Sequence, residues 1–312
     1  MRRNVTVGIA LLLLGALALM TSCTSGDKDR KTDDRRKTVT VTTSFIHDMV
    51  QHIAGDTVNL ELIIPHGVDP HLYQAKPDDL GKITRADLLL YHGLHFEGKM
   101  QDILKKDGHA ITSTFRKEDL ITMEEDGFNV VDPHFWFDLT LYKEAFVNTC
   151  NELVRLLPEE KEIFEERTIR HLEALDALHH ETVEKINRIE ETSRYLITPH
   201  DAFNYFSRSY AMEVVAPQGV STESEVSNAD LEKTARFIVD HRIRSIFTES
   251  TTNPEKMKKL QEICRSKGFE VAVIHGDGKE LFSDSLAPVG EPGDTFIDMF
   301  RHNVDLIVDN LT

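Results

Sequence analysis

From Thr38 onward the chain alternates short β-branched runs with stretches whose apolar residues recur at helical spacing. Thr38-Thr43, Val58-Ile64, Asp87-Tyr91 and His109-Ser113 read as strands, and Ile46-Ala54, Asp78-Ala86, Gly98-Lys106 and Leu141-Leu157 as helices. A second set keeps the same rhythm, with strands at Tyr195-Pro199, Glu213-Ala216, Ser245-Ser250 and Glu270-His275 and helices at Phe203-Tyr210, Ala229-Arg242, Pro254-Lys267 and Thr295-Leu311. Such alternation predicts parallel sheets with helical crossovers, so the expected fold is α/β with two (β/α) lobes. Between the sets, Pro158 to Ile189 contains no glycine, begins with proline, and places Leu172, Leu175, Leu178, Ile186 and Ile189 on one face. One helix of 32 residues is expected there, roughly 48 Å long at 1.5 Å per residue, as a spine joining the lobes.

The first 37 residues follow a different pattern. Met1-Arg2-Arg3 precedes an apolar run from Val5 to Met20 and then Thr21-Ser22-Cys23, the order of a secretory signal. The run falls short of the roughly 20 apolar residues that span a membrane, so cleavage is expected. The ending on Cys23 resembles a bacterial lipobox, whose cysteine is lipidated and becomes the mature N-terminus, although Met20 departs from the usual aliphatic residue. Ten of the fourteen residues from Thr24 to Lys37 are charged and none is aliphatic, the composition of a solvated tether. The expected organisation is therefore signal peptide 1–22, lipidated cysteine and tether 23–37, first lobe 38–157, linking helix 158–190 and second lobe 191–312.

Charge narrows the partners. The 312 residues carry a net charge of −17, which repels a phosphate backbone and favours cations over nucleic acid. Three cysteines cannot make a disulfide framework. Cys150 lies on the apolar stripe Phe146, Cys150, Leu153, Leu157 and Cys264 in a helical run, so both are expected as core thiols.

The histidines carry the chemistry. Ten prolines and 15 histidines predict about half a Pro-His pair by chance. The chain has four, Pro65-His66, Pro70-His71, Pro133-His134 and Pro199-His200, and two of them extend to Asp-Pro-His at Asp69 and Asp132. Proline fixes φ ahead of the imidazole and stiffens the loop that carries it. His71 and His200 follow strands, and ligands of open α/β sheets bind at the carboxyl ends of strands. His134 follows the last strand of the first lobe and Asp284 the last strand of the second. Three imidazoles and a carboxylate, two from each lobe, suit a closed four-coordinate site for a borderline divalent metal. Asp277, Asp294 and Glu249 also lie near strand ends and compete with Asp284 for that role.

Four segments, Gly67-Val68-Asp69-Pro70-His71-Leu72-Tyr73, Asp132-Pro133-His134-Phe135-Trp136-Phe137-Asp138, Pro199-His200-Asp201-Ala202-Phe203-Asn204-Tyr205-Phe206 and Leu281-Phe282-Ser283-Asp284-Ser285-Leu286, resemble in order the metal-site motifs of TroA-like zinc and manganese solute-binding proteins of ABC importers. The resemblance runs from Thr38 to Thr312. It implies His71, His134, His200 and Asp284 as ligands of one zinc or manganese ion per chain, held between two lobes joined by a backbone helix. It implies further a monomeric lipoprotein, not an enzyme, on the outer face of the cytoplasmic membrane, delivering metal to permease subunits and their cytoplasmic ATPase. Metal-bound histidines donate their second N–H to an acceptor, and Asp69, Asp132, Asp138, Asp201 and Glu249 are the nearby candidates.

Some features sit outside this pattern. His66 is either a solvated loop residue or a transient ligand, and His92 with His95 forms an HxxH that suggests a second metal or simple packing. His179-His180 belongs to the wet face of the long helix. Relatives dedicated to zinc often carry a long His-rich loop before the second motif, whereas Glu124-Glu125-Asp126-Gly127-Phe128 is short and has no histidine. Two other functions compete. An exported metallohydrolase would need an open coordination position and a general base, and the chain has no HExxH, Gly-x-Ser-x-Gly or Gly-rich phosphate loop. A surface adhesin with a structural metal would need exposed apolar patches.

Overall fold

Thr38–Val41 (β1), Asn59–Leu62 (β2), Leu88–Tyr91 (β3) and His109–Ala110 (β4) form a parallel sheet in the order β2-β1-β3-β4. The computed structural model describes residues 36–125, 127–276 and 278–312, so the signal segment, Cys23 and the tether as far as Arg35 lie outside the described residues. Helices Ser44–Ile53 (α1), Pro77–Arg85 (α2) and Gln101–Asp107 (α3) make the crossovers. The chain runs from β1 out to β2 and then back past β1 to β3, which places a topological switch between β1 and β3, where such sheets bind ligands.

The predicted strand His109-Ser113 shortens to two residues, because after Ile111 N bonds Tyr91 O the chain turns, with Ser113 N on Ala110 O and Phe115 N on Thr112 O. The short loop expected at Glu124-Phe128 belongs to an antiparallel hairpin, Thr122–Glu125 (β5) with Phe128–Val131 (β6), which turns through Gly127 at φ +81°. That φ is open to glycine without strain. The alternation at Thr122–Val131 is too polar to signal strands by periodicity, which is why the pattern missed it.

Leu139–Leu156 (α4) is followed by a 3₁₀ turn at Pro158–Glu160 and then Lys161–Ile186 (α5), a helix of 26 residues instead of the expected 32. Its length is roughly 39 Å at 1.5 Å per residue. Past Ile186 the bonds tighten to three-residue turns, Arg188 N to Lys185 O and Ile189 N to Ile186 O, which end the α geometry while keeping Ile189 buried. Among the described residues no helix is long and apolar enough to cross a membrane.

The second lobe holds two parallel pairs, Tyr195–Ile197 (β7) with Glu213–Val215 (β8) and Ser245–Phe247 (β9) with Ala272–Ile274 (β10). Asn204–Tyr210 (α6), Asn228–Asp240 (α7), Glu255–Ser266 (α8) and Phe296–Leu311 (α9) complete it. The main core does not respect the division into lobes. Phe45, Trp136, Phe203, Phe206, Phe296 and Phe300 belong to one buried cluster, Tyr142 stacks on Phe296 with ring centres 3.6 Å apart, and Phe296 N donates to Asp48 Oδ2. Helix α9 thus packs back onto the first lobe. Cys150 and Cys264 are buried free thiols within cores, as the apolar stripe of the first and the helical run of the second predict.

Two histidines off the site make the stability pH-dependent in opposite directions. Burial, helped by the neighbouring His52, lowers the His171 pKa to about 4, and its ring stacks on Phe146 at 4.3 Å. The hydrogen bond to Asp48 outweighs burial at His52 and raises that imidazole to about 9. A depressed histidine means that the unfolded chain binds the extra proton first, so its contribution is lost as pH falls from about 6.5 towards 4. A raised one contributes below about 6.5 and is lost as pH rises towards 9. His171→Phe keeps the stack and removes the acid limb. Its stability advantage over the native chain is expected to grow as pH is lowered from 6.5 to 4 in chemical unfolding, and a constant difference would refute this assignment.

Candidate metal centre

Each candidate side chain is delivered by a loop at the carboxyl end of a strand. His71 lies beyond β2, His134 beyond β6, His200 three residues after β7, and Asp284 beyond β10. The structure brings these four together. One possible ligand atom from each lies within 4.8 Å of every other, and the side chains are buried, with His134, His200 and Asp284 at 0% exposure and His71 at 2%.

The local sequence explains how each is held. In both Asp-Pro-His tripeptides the aspartate Oδ1 accepts from the backbone N–H of the histidine two residues on, at 2.9 Å in each case. At the second tripeptide the same Oδ1 also accepts from His134 Nδ1 at 2.7 Å. Asp132 is fixed from the other lobe, by Asn204 Nδ2 on its Oδ2 and by Tyr205 Oη on its carbonyl, both at 3.0 Å. His200 Nδ1 donates to Glu249 Oε2 at 2.5 Å, and Ser283 Oγ donates to that same oxygen. Isolated parallel bridges between His200 and Gln218 and between Glu249 and Leu281 extend the two strand pairs up to the site. Gly98, at φ +39°, lets the chain pass the His71 loop, since a Cβ there would meet His71 O at 2.5 Å.

An ionised carboxylate only accepts, so the hydrogen in both histidine–carboxylate pairs sits on Nδ1 and Nε2 faces inward. His134 Nε2 and His200 Nε2 are 3.4 Å apart, and Asp284 oxygens lie 3.2 Å from the first and 3.3 Å from the second. Ligand atoms placed tetrahedrally around an ion at ~2.1 Å would be about 3.4 Å apart. His71 Nε2 is buried without a hydrogen-bond partner, and Asp284 Oδ1 is buried with the close approach of His134 Nε2 in place of a well-directed hydrogen bond, a cost that a cation bonded to both would remove. Burial opposes charge throughout the cluster. At His134 the carboxylates of Asp132 and Asp284 overcome it and hold the imidazole up to about 9, and at His200 Glu249 and Asp284 also raise the pKa. The two imidazoles overcome burial at Asp284 and hold its carboxyl well below the usual range. At His71 burial prevails and lowers the ring to about 3.

The remaining candidates separate cleanly. Asp138 caps α4 through Thr140 N and pairs with Arg208, away from the imidazoles. Asp201 is pushed up to about 6, first by burial and then by Asp132, and touches no imidazole by hydrogen bond. Glu249 serves His200, and Asp294 accepts from Gly290 N in a surface turn. Asp277 lies outside the described residues. His66 is half-buried and its Nδ1 bonds Ala287 O at 2.7 Å in the opposite lobe, so it is not a freely solvated loop residue. The HxxH does not converge. His92 is buried among Phe45, Phe96, Phe135 and Trp136 with both ring nitrogens unpartnered, whereas His95 sits at φ +66° with its side chain exposed. His180 is exposed as expected, and His179 Nδ1 lies 3.3 Å from Tyr210 Oη.

The sequence reading missed Glu97, a fully buried carboxylate that accepts from Thr42 Oγ1 and His92 N and so joins the ends of β1 and β3 at the switch point. Burial raises it to about 7 against those hydrogen bonds. Its only signal is a glutamate placed directly between Phe96 and Gly98 in a strand-to-helix turn.

The fold is that of a two-lobed α/β solute-binding protein. Residues 39–310 match the family model described as ZnuA, zinc-uptake complex component A, periplasmic. The zinc-binding protein TroA of Treponema pallidum (strain Nichols) is 36% identical over 94% of this chain and 95% of its own, and the manganese-binding lipoprotein MntA of Bacillus subtilis (strain 168) is 33% identical over 96% and 97%. A solved structure concerned with the metal-binding specificity of TroA superposes with a TM-score of 0.88 at 56% identity, covering 89% of this chain and 100% of that one. The chain belongs to the ZnuA/TroA family of metal-binding receptors.

Proposed function

We propose that His71, His134, His200 and Asp284 ligate one zinc or manganese ion per chain as cargo. The protein is a metal-binding solute receptor of an ABC importer, working outside the cytoplasmic membrane. It presents its ion to permease subunits driven by a cytoplasmic ATPase, acting as a monomer anchored through lipidated Cys23. The first lobe is taken as 38–157, the linking segment as 158–190 and the second lobe as 191–312, following cleavage of 1–22 and a tether over 23–37.

The observation that carries this reading is the convergence of three imidazoles on Asp284, with the Nδ1 atoms of His134 and His200 already committed to Asp132 and Glu249. Without a cation the facing Nε2 atoms of those two rings repel each other unless protons occupy the gap. The metal therefore competes with protons. The family is one of binding proteins, not enzymes, so the hydrolase alternative falls, and four protein ligands would leave no position for a catalytic water. Three nitrogens and one oxygen rank zinc above manganese in intrinsic affinity, which leaves the cellular cargo to supply and to the permease.

Chelator-stripped protein reloaded with zinc, manganese or ferrous iron is expected to hold one ion per chain, with affinity falling as the solution is acidified through the imidazole range. Metal counting by mass spectrometry of the native protein checks the first expectation and competitive titration across pH the second. A stoichiometry of zero, or an affinity indifferent to pH, would sink the reading.

A further inference from the structure

Residues 217–224, between β8 and α7 of the second lobe, touch both the His200 loop and the His71 loop. On their own lobe, Gln218 bridges to His200 and Gly219 O accepts from Asp201 N at 3.2 Å. Gln218 also braces the segment internally, its Nε2 donating to Thr222 O at 2.9 Å. Across the cleft, Thr222 Oγ1 donates to Asp69 Oδ2 at 2.6 Å, while Oδ1 of the same carboxylate accepts from His71 N. One side chain thus ties the backbone of a proposed ligand to the opposite lobe. Glu125, from the hairpin, lands on the same segment by accepting from Val220 N at 2.6 Å, and a Cβ at Gly219 would lie 2.2 Å from Glu125 Oε1. Glycine at 219 is what lets that carboxylate in.

His71 depends on this arrangement more than its partners do. The rings of His134 and His200 are each steered by a carboxylate, whereas the ring of His71 meets the edge of Phe96 at 5.0 Å, and its backbone is placed by Asp69 and by the close passage of Gly98. We propose that the Asp69–Thr222 hydrogen bond is a clasp between the lobes that sets how long the metal is held, both residues acting as positioning residues through His71. The inference rests on the receptor reading above. Ligands this deeply buried are reached by an ion only when the loops that bear them part, and in that state the clasp is already open. Its loss therefore speeds release and leaves capture unchanged.

The test is a pair of variants, Thr222→Val, which keeps the shape and removes the donor, and Thr222→Ser, which keeps the donor. Zinc release is timed by stopped-flow chase with excess chelator, zinc capture is timed separately, and the unfolding of the metal-free proteins is recorded as a control on folding. Thr222→Val is expected to release zinc at least about tenfold faster, the scale of one lost hydrogen bond to a charged group, with the capture rate within about twofold of the native chain. Thr222→Ser is expected to restore slow release. Native release rates in Thr222→Val, or a loss that falls equally on capture and release, would overturn the clasp. A native chain that holds no zinc at all would overturn the receptor reading and the clasp with it, and is told apart by the native control alone.

Discussion

His134→Ala is expected to weaken zinc or manganese binding by more than about a hundredfold, beyond the 10–100-fold that loss of an outer hydrogen-bond partner costs a metal site. The imidazole is fully buried, its Nδ1 is tied to Asp132, and its Nε2 lies 3.4 Å from that of His200 and 3.2 Å from Asp284, so alanine removes one quarter of the proposed coordination. It also leaves Asp132 without its imidazole partner in a dry site, where an unpaired charge is costly. Asp284→Ala removes the only proposed anionic ligand and is expected to lose at least as much. Competition against a chromogenic chelator reads both variants, with metal-free unfolding curves to show that they fold. Native affinity in either variant would mean that the residue is not a ligand.

The second large effect is expected at Trp136, two residues past His134. The indole is fully buried, lies 4.7 Å from the ring of Phe45 and 4.8 Å from that of Phe96, and donates its Nε1–H to Ser283 O at 3.0 Å. It therefore joins the aromatic core of the first lobe to the backbone just before Asp284. Trp136→Ala leaves a cavity worth about 3–5 kcal/mol, enough to lower the melting temperature by on the order of 10 °C. Trp136→Phe keeps much of the packing but frees Ser283 O, so it is expected to cost less stability while still weakening metal binding about tenfold. Thermal unfolding of the metal-free variants measures the first quantity and chelator competition the second. A Trp136→Ala variant that melts with the native chain would contradict the packing argument. Equal affinity in Trp136→Phe and the native chain would deny the link to Asp284.

Much of the site was legible because its devices are local. An Asp-Pro-His tripeptide closes its own hydrogen bond over two residues, and four Pro-His pairs stand out against chance, so His71, His134 and His200 could be singled out without coordinates. Asp284 was named with less support, and three other acidic residues were left competing with it. Of those, Glu249 proved to be the partner of His200, a relation no short-range pattern encodes because the two are 49 residues apart. Asp138 and Asp201 were equally good candidates as outer partners on sequence grounds, and only the packing sets them aside in favour of Asp132 and Glu249.

The sequence by itself determined the α/β class, most of the succession of elements, the core thiols and the residues that converge in the candidate centre. These follow from periods of 2 and 3.6 residues and from turn chemistry, all of which act within a few positions. Tertiary structure alone decided what depends on partners far along the chain. His66 bonds a carbonyl 221 residues away, Thr222 meets Asp69 across 153 residues, and α9 returns to pack on the first lobe. The long helix stopped short of its apolar stripe, and a polar segment became a hairpin. In each case the deciding free energy comes from contacts between elements, which hydrophobic periodicity along the chain does not specify.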